Sequence, residues 1–360
     1  MIRLFANRTR PRAQRPPRPR LFGPPEWHWT RTGDVGWWVR ADWKRTLLGA
    51  DGLRLDEWKR QGRLKVVKKG PHRVVYRVDL VEGPVYIKHY LVPGFRAKVR
   101  QWFRRGKGRN EGRRTKYLDA IGVPTITPIA LGEQRKSKFL LENYLVTPEI
   151  REAIPLDEFV ERRLPAWPEA RRSKVRQALA EALGVLTARL HDAGFVHKDF
   201  HPGNLLVKVG DDDRPTLAMI DLDALRVARR MSWADVRGNL ALLNHYFGLR
   251  SGRTDRQRFL RHYLDARQAA PPDPGAFARQ IESATRAWAE KLWTRWGRRC
   301  HRSNKYFKKY KARHTWSVAA RDLDQGEVRA LLADPDAPFH RAGTVLIKDS
   351  RTTTVAETTM

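Results

Sequence analysis

Asp199 stands five residues before Asn204 in the run VHKDFHPGNLLVKV, and Asp221 closes a second apolar run, LAMIDLDALR. An Asp, an Asn and a second Asp in this order, separated by a loop, a strand and a turn, suit the transfer of a phosphoryl group. Asp199 is the residue to accept the proton of an attacking hydroxyl. Asn204 and Asp221 offer the oxygen ligands that Mg²⁺ needs when it sits on nucleotide phosphates. This chemistry rests on positioning and charge neutralisation, so a few groups carry much of it. His-Lys-Asp or Asp-Leu-Asp alone is an ordinary turn sequence. The combined spacing, with an Asn opening one strand and an Asp ending the next, carries the signal.

Such a loop requires other parts upstream. A lysine at the end of a strand must reach the nucleotide phosphates, and VEGPVYIKHYLV supplies Lys88. That lysine needs a carboxylate from a helix to hold it. Residues 96–116 contain ten Lys or Arg and a single acid, Glu111, which makes Glu111 the expected partner. Gly122-Val123-Pro124 ends that helix. The run LKVVKKGPHRVVYRVDL predicts a hairpin over 64–80 that covers the phosphates. It has only one Gly, so backbone N–H groups, His72 or Arg73 are left to make the contact. KFLLENYLV at 138–146 predicts a buried strand leading to the hinge, with Glu142 to Tyr144 placed against adenine.

Downstream, Val175, Leu179, Leu183, Leu186 and Leu190 recur at three- and four-residue steps, the stripe of a helix facing a core. A further helix is expected over 232–247. Together these parts predict an α+β, two-lobed fold with a small β-rich lobe and a larger helical lobe. The expected organisation is a basic, Pro-rich tail at 1–30, a Trp-rich lead-in at 31–63, the small lobe at 64–150, the large lobe at 151–315 and an extension at 316–360.

The chain resembles the lipopolysaccharide kinase (Kdo/WaaP) family of the protein-kinase-like superfamily. The resemblance rests on KKGPHRVVYRV, VYIKHY, NEGRRTKYLDAIGVPTITPIA, FLLENYL, VHKDFHPGNLLV and MIDLDALR, which span about residues 64 to 226. It implies Asp199 as catalytic base, Asn204 and Asp221 as Mg²⁺ ligands, and Lys88 paired with Glu111 on the phosphates of ATP. It also implies a sugar hydroxyl of the lipopolysaccharide core, on heptose or Kdo, as acceptor at the cytoplasmic side of the inner membrane. The chain departs from eukaryotic protein kinases in having Lys198 before the Asp and Leu-Asp after Asp221, and it has no Ala-Pro-Glu. About a dozen residues separate Asp221 from the next helix, which leaves little room for a peptide platform and favours a non-peptide acceptor.

Lys and Arg total 72 against 39 acids, a net charge of +33. Such a field calls for an anionic partner: a glycolipid, an anionic membrane surface or a nucleic acid. A single cysteine, Cys300, excludes an intramolecular disulfide. No apolar run approaches the roughly 20 residues of a membrane span. The first 20 residues hold seven Arg, no acid and no apolar stretch of a secretory signal, and suit a disordered arm on anionic headgroups. The cofactors expected are ATP and Mg²⁺, and the expected location is cytoplasmic and peripheral to the inner membrane.

Residues 286–313 hold eleven Lys or Arg and one acid, interleaved with six aromatics. That pattern serves core packing, a membrane or glycolipid surface, or nucleic-acid binding. WWVRAD at 37–42 loosely matches WSVAARD at 316–322, and VVKKGPHRVVYRV at 66–78 matches VLIKDSRTTTVAE at 345–357. At one offset of 279, Val39 meets Val318 and Lys69 meets Lys348, as the start of a second kinase-like repeat would give. Two rival readings stand beside the lipopolysaccharide kinase. One is a small-molecule kinase of the aminoglycoside or choline type. The other is an inactive kinase scaffold that binds membrane or nucleic acid.

Overall fold

The computed structural model describes residues 26–357 except 71, 92–105, 137–138, 228–230, 272, 313–314, 335, 341 and 351–352. The basic arm at 1–20 and the 96–105 part of the basic stretch lie outside the described residues. The chain divides into two compact units, residues 1–285 and 286–360.

The first unit opens with a hairpin of β1 (Trp27–Thr32) and β2 (Val35–Arg40), followed by helix α1 (Leu55–Arg60). Then come β3 (Leu64–Gly70), β4 (Arg73–Val78), β5 (Val85–Leu91), helix α2 (Lys107–Ala120), β6 (Ala130–Lys136) and β7 (Phe139–Pro148). The strands form one antiparallel sheet in the order β1-β2-β6-β7-β5-β4-β3. Alternation along β5 decides its faces. Val85 and Ile87 are buried in a core with Trp37, Val39, Trp58 and Val146, and Lys88 lies on the opposite face.

The tail expected at 1–30 ends earlier, since β1 begins at Trp27, and the Trp-rich segment at 31–63 is more than a lead-in, because β2 joins β1 to the rest of this sheet. Trp37 pairs with Gly132 across β2 and β6 and is almost fully buried. A Cβ at Gly132 would come within 2.6 Å of the indole, so the ring sits where a side chain is missing.

The large lobe contains β8 (Ile154–Pro155), helix α3 (Glu169–Asp192), β9 (Phe195–His197), β10 (Leu205–Val209), β11 (Pro215–Met219) and β12 (Leu225–Val227). Helices α4 (Trp233–Phe247), α5 (Arg253–Ala266) and α6 (Pro274–Cys300) follow. The apolar stripe of α3 is buried as its spacing predicts, and Ser232 and Asp235 close a capping box at the start of α4. β10 pairs with β11, and β9 pairs with β12. At Gly184 in α3, a Cβ would stand 2.9 Å from Phe259 O and from Tyr263 N, so α5 lies directly against the α3 backbone.

Behind the large lobe runs a buried polar chain. Tyr263 OH meets His191 Nδ1 at 3.0 Å, and His191 Nε2 meets Asn239 Oδ1 at 3.0 Å. Asn239 Oδ1 can only accept, so His191 carries its proton on Nε2 and takes the tyrosine hydroxyl on Nδ1. Asn239 Nδ2 donates to His197 O at 2.6 Å, and its Oδ1 accepts from His197 N at 3.3 Å. Burial holds the His191 imidazole down to about 4, so it is neutral near pH 7.

The second unit contains hairpin β13 (Phe307–Ala312) and β14 (Thr315–Ala320), helix α7 (Gln325–Ala333) and hairpin β15 (Val345–Ser350) and β16 (Thr353–Glu357). A boundary at 315/316 would cut the first of these hairpins. The chain divides instead at Thr285/Arg286.

Two consequences can be measured. Gly184→Ala should destabilise the protein by about 1–3 kcal/mol through overpacking, even though Ala favours a helix over Gly by about 1 kcal/mol. An unchanged or raised urea midpoint would contradict the close α3–α5 approach. His191 should also make stability depend on pH. Between about 6.5 and about 4 the unfolded chain binds a proton that the folded chain refuses. Stability should therefore fall as pH drops through that window, by about 3 kcal/mol over its full width. His191→Gln should flatten that slope, and equal slopes for the two proteins would refute the assignment.

Candidate active site

Lys88 and Glu111 form an ion pair between β5 and α2, and Glu111 is almost fully buried. Tyr90, two residues along the same face of β5, donates its hydroxyl to the other carboxylate oxygen at 2.7 Å. Glu111 is therefore shared by two groups of one strand. Helix α2 is fastened to the sheet at its first turn. Gly108 N donates to Asn143 Oδ1 at 3.0 Å, and Arg109 grips the buried carboxylate of Glu133 with two N–H groups at 3.1 and 3.0 Å. The Arg109 guanidinium also lies over the Trp38 ring, 4.5 Å from its centroid. One turn further along, Arg114 donates to the carbonyls of Leu222 and Asp223 at 3.0 and 3.1 Å. The same helix thus fixes Glu111 and holds the turn after Asp221.

Asp221 has φ +52° and ψ +55°, a left-handed conformation that costs a non-glycine residue about 1–3 kcal/mol. His197 Nε2 donates to its carbonyl at 3.3 Å, and Arg73 reaches its carboxylate at 3.3 and 3.4 Å. Burial pushes the Asp221 carboxyl up, but Lys88 and Arg73 outweigh it and bring it below its ordinary value. Burial lowers the pKa of His197, which favours the neutral ring.

The loop after His197 presents Asp199 with an exposed carboxylate, 3.6 Å from His201 Nε2. Asn204 is buried, and its Nδ2 donates to Asp199 O at 2.7 Å. Its backbone carbonyl accepts from Ile220 N at 2.9 Å, which ties the loop to the residue before Asp221. The residues expected from the sequence, Lys88, Glu111, Asp199, Asn204 and Asp221, all line one cleft of about 700 Å³.

The donor set suits a divalent cation. Asn204 has committed its amide nitrogen, which leaves its oxygen as a ligand, and Asp221 is held ionised. Among the described residues no three His, Cys, Asp or Glu side chains gather into a metal site of their own. Asn204 and Asp221 would share an ion with phosphate oxygens.

The adenine-facing segment departs from expectation. Glu142 to Tyr144 lie within β7, opposite Leu91, Tyr90 and His89, and Glu142 is engaged by His89 and Tyr144 at 2.8 and 2.9 Å. The strand continues to Pro148 because it pairs with all of β5. The cleft is bordered instead by Thr147, Glu149 and Ile150. Of the two residues expected at the phosphates, Arg73 lines the cleft. Sequence reasoning missed Tyr90, Arg114 and the supporting role of His197. Tyr90 had a signal in its position two residues after Lys88. The other two act across long sequence separations.

The description "Lipopolysaccharide kinase (Kdo/WaaP) family" matches residues 59–263, more than half of the chain. The chain is 30% identical over 167 residues to the lipopolysaccharide core heptose(I) kinase WaaP of Pseudomonas aeruginosa, which covers 43% of this chain and 59% of that protein. The chain thus spans less than two thirds of the curated relative it matches. Among solved structures, WaaP in complex with acyl carrier protein aligns with a TM-score of 0.48 at 22% identity, over 71% of this chain and 99% of that one. The Toxoplasma gondii specific rhoptry antigen kinase domain aligns with a TM-score of 0.35 at 12% identity, over 61% and 81%. With a β-rich small lobe, a helical large lobe and a match over residues 59–263, the chain belongs to the lipopolysaccharide kinase (Kdo/WaaP) family and has the two-lobed protein-kinase-like α+β fold.

Proposed function

We propose that this protein transfers the γ-phosphoryl group of ATP to a hydroxyl of a lipopolysaccharide core sugar, a heptose or Kdo, with Mg²⁺ held by Asn204 and Asp221. The observation that carries the reading is the convergence of Lys88–Glu111, Asp199, Asn204 and Asp221 on one cleft. Asp199 accepts the proton of the acceptor hydroxyl as its oxygen attacks the γ-phosphorus, and ADP departs. Lys88 orients the phosphates, and Glu111 holds Lys88 in place. Mg²⁺, when bound, neutralises charge on the phosphates.

A polyhydroxylated acceptor fits the rim beyond Asp199, where Asp157, Glu158, Glu161 and Arg162 line the same cleft. The stretch after Asp221 supports a non-peptide acceptor, since a short turn and β12 occupy it as far as Val227. We place the protein at the cytoplasmic face of the inner membrane, bound peripherally. Its net charge of +33 supports this, as does a second-unit cleft whose lining includes Lys291, Arg295, Arg298, Arg299 and Arg302. Among the described residues no helix is long and apolar enough to cross a membrane.

The test is transfer from γ-labelled ATP into a cell-envelope extract. Wild-type protein should label the glycolipid fraction and sediment with the envelope at physiological salt, leaving it at high salt as exposed charges are screened. Asp199→Asn should label ~10²–10⁴-fold more slowly while keeping its nucleotide-induced rise in melting temperature. Label found only in small soluble amino alcohols would move the acceptor to another class. Full activity in Asp199→Asn would remove Asp199 as the base.

A further inference from the structure

The two hairpins of the second unit repeat the first two hairpins of the small lobe in backbone register, while the segment between them differs, with helix Gln325–Ala333 standing where the first unit has helix Lys44–Leu47 and a two-strand ladder. In β1–β2 the pairs run from Trp27↔Arg40 to Thr32↔Val35, and in β13–β14 from Phe307↔Ala320 to Ala312↔Thr315. Both ends differ by the same offset, since 307 − 27 and 320 − 40 are each 280. The next hairpins agree in finer detail. In β3–β4, Lys65 pairs with Arg77 and Val66 with Tyr76, Val67 is skipped, and Lys68 then pairs with Val75. In β15–β16, Val345 pairs with Glu357 and Leu346 with Ala356, Ile347 is skipped, and Lys348 then pairs with Val355. The offset is again 280, since 347 − 67 is 280.

Both skipped residues are exposed aliphatics, Val67 at 52% and Ile347 at 66%. Between the hairpins, the short turn Ala337–His340 falls at the position of the last four residues of α1. Shared letters are few, and chasing them gives an offset of 279. Backbone pairing corrects it by one residue.

A bulge adds twist to a hairpin and is a placed feature rather than noise. In the first unit this bulged hairpin brings Val67, Lys68, Arg73 and Val75 to the wall of the nucleotide cleft. The equivalent positions in the second unit hold Ile347, Lys348, Thr353 and Val355. The apolar–Lys pair and the valine recur, and the arginine that reaches Asp221 does not. In the small lobe the free edges of β2 and β4 are taken by β6 and β5. Among the described residues, the matching edges of β14 and β16 carry no further strand.

We propose that residues 307–357 are the opening half of a second small lobe, with β15–β16 the hairpin that covers the phosphates of a second nucleoside triphosphate. The identity of the ligand rests on the function proposed above. The architectural claim does not.

Grafting tests it in the existing chain. Residues 65–77 are replaced by residues 345–357, of equal length, equal register and equal bulge. A control graft uses residues 308–320, of equal length but from a hairpin with no skipped residue. The first graft should unfold cooperatively with its melting temperature lowered by about 5 °C, the size of shift that about 1–2 kcal/mol gives in a domain of this size. It should keep a reduced melting shift with ATP, because Thr353 takes the position of Arg73, and the control should lose cooperative unfolding. Grafts tolerated equally would overturn the proposal.

If both grafts unfold, backbone NOEs in the wild-type chain decide. Contacts from Lys348 to Val355 that skip Ile347 uphold the repeat, and an unbulged ladder overturns it. A wild-type protein whose melting does not respond to ATP would count against the proposed function, while the comparison of the two grafts would still decide the repeat.

Discussion

The site depends on the ion pair between Lys88 and Glu111. A lysine and a glutamate taken out of water lose hydration worth several kcal/mol each, and their attraction offsets it only where geometry is tightly held. Here the holding is distributed. Tyr90 takes the second carboxylate oxygen, and Asn143 and Glu133 fix the first turn of α2 against the sheet. Loosening any of these leaves a buried carboxylate underpaired, the costly outcome for a buried polar group. Because Arg114 of the same helix grips the carbonyls after Asp221, the geometry of the pair and the placement of the proposed metal ligand are coupled through one rigid element.

Asp221 is the second point of concentration. Its backbone is left-handed, its carbonyl is held by His197 and its carboxylate faces Arg73 and Lys88. The strain is stabilised from behind by the buried chain from Tyr263 through His191 and Asn239 to His197. Along that chain the Tyr263 hydroxyl, both nitrogens of His191 and both amide atoms of Asn239 are paired, and paired groups of this kind rigidify a fold. A neutral His191 suits this role, since burial opposes a charge on its ring.

The site was largely legible in the sequence and much of its support was not. Asp199, Asn204 and Asp221 lie within 23 residues, where spacing reports geometry directly. Glu111 stood out as the one acid in a basic stretch, and Lys88 as the polar end of an apolar strand. The hinge expected at Glu142–Tyr144 falls inside β7, because KFLLENYLV reads as a strand without revealing that pairing with β5 carries it on to Pro148. The sequence does not announce β2 as part of the sheet, because the partner of Trp37 is Gly132, far along the chain, and a glycine says nothing about the ring that covers it. His191, Asn239 and Tyr263 meet across 48 and 72 residues, which periodicity cannot register. The repeat was visible in outline, but only strand pairing fixed its register.

The most direct test of the account is a double-mutant cycle on Lys88 and Glu111, read as the affinity for a non-hydrolysable ATP analogue. Lys88→Ala should weaken binding strongly. Glu111→Gln should weaken it in the wild-type background and have little effect once Lys88 is gone, giving a coupling of about 0.5–3 kcal/mol. Losses that simply add would mean that Glu111 does not act through Lys88, and the interaction on which the site is built here would not exist.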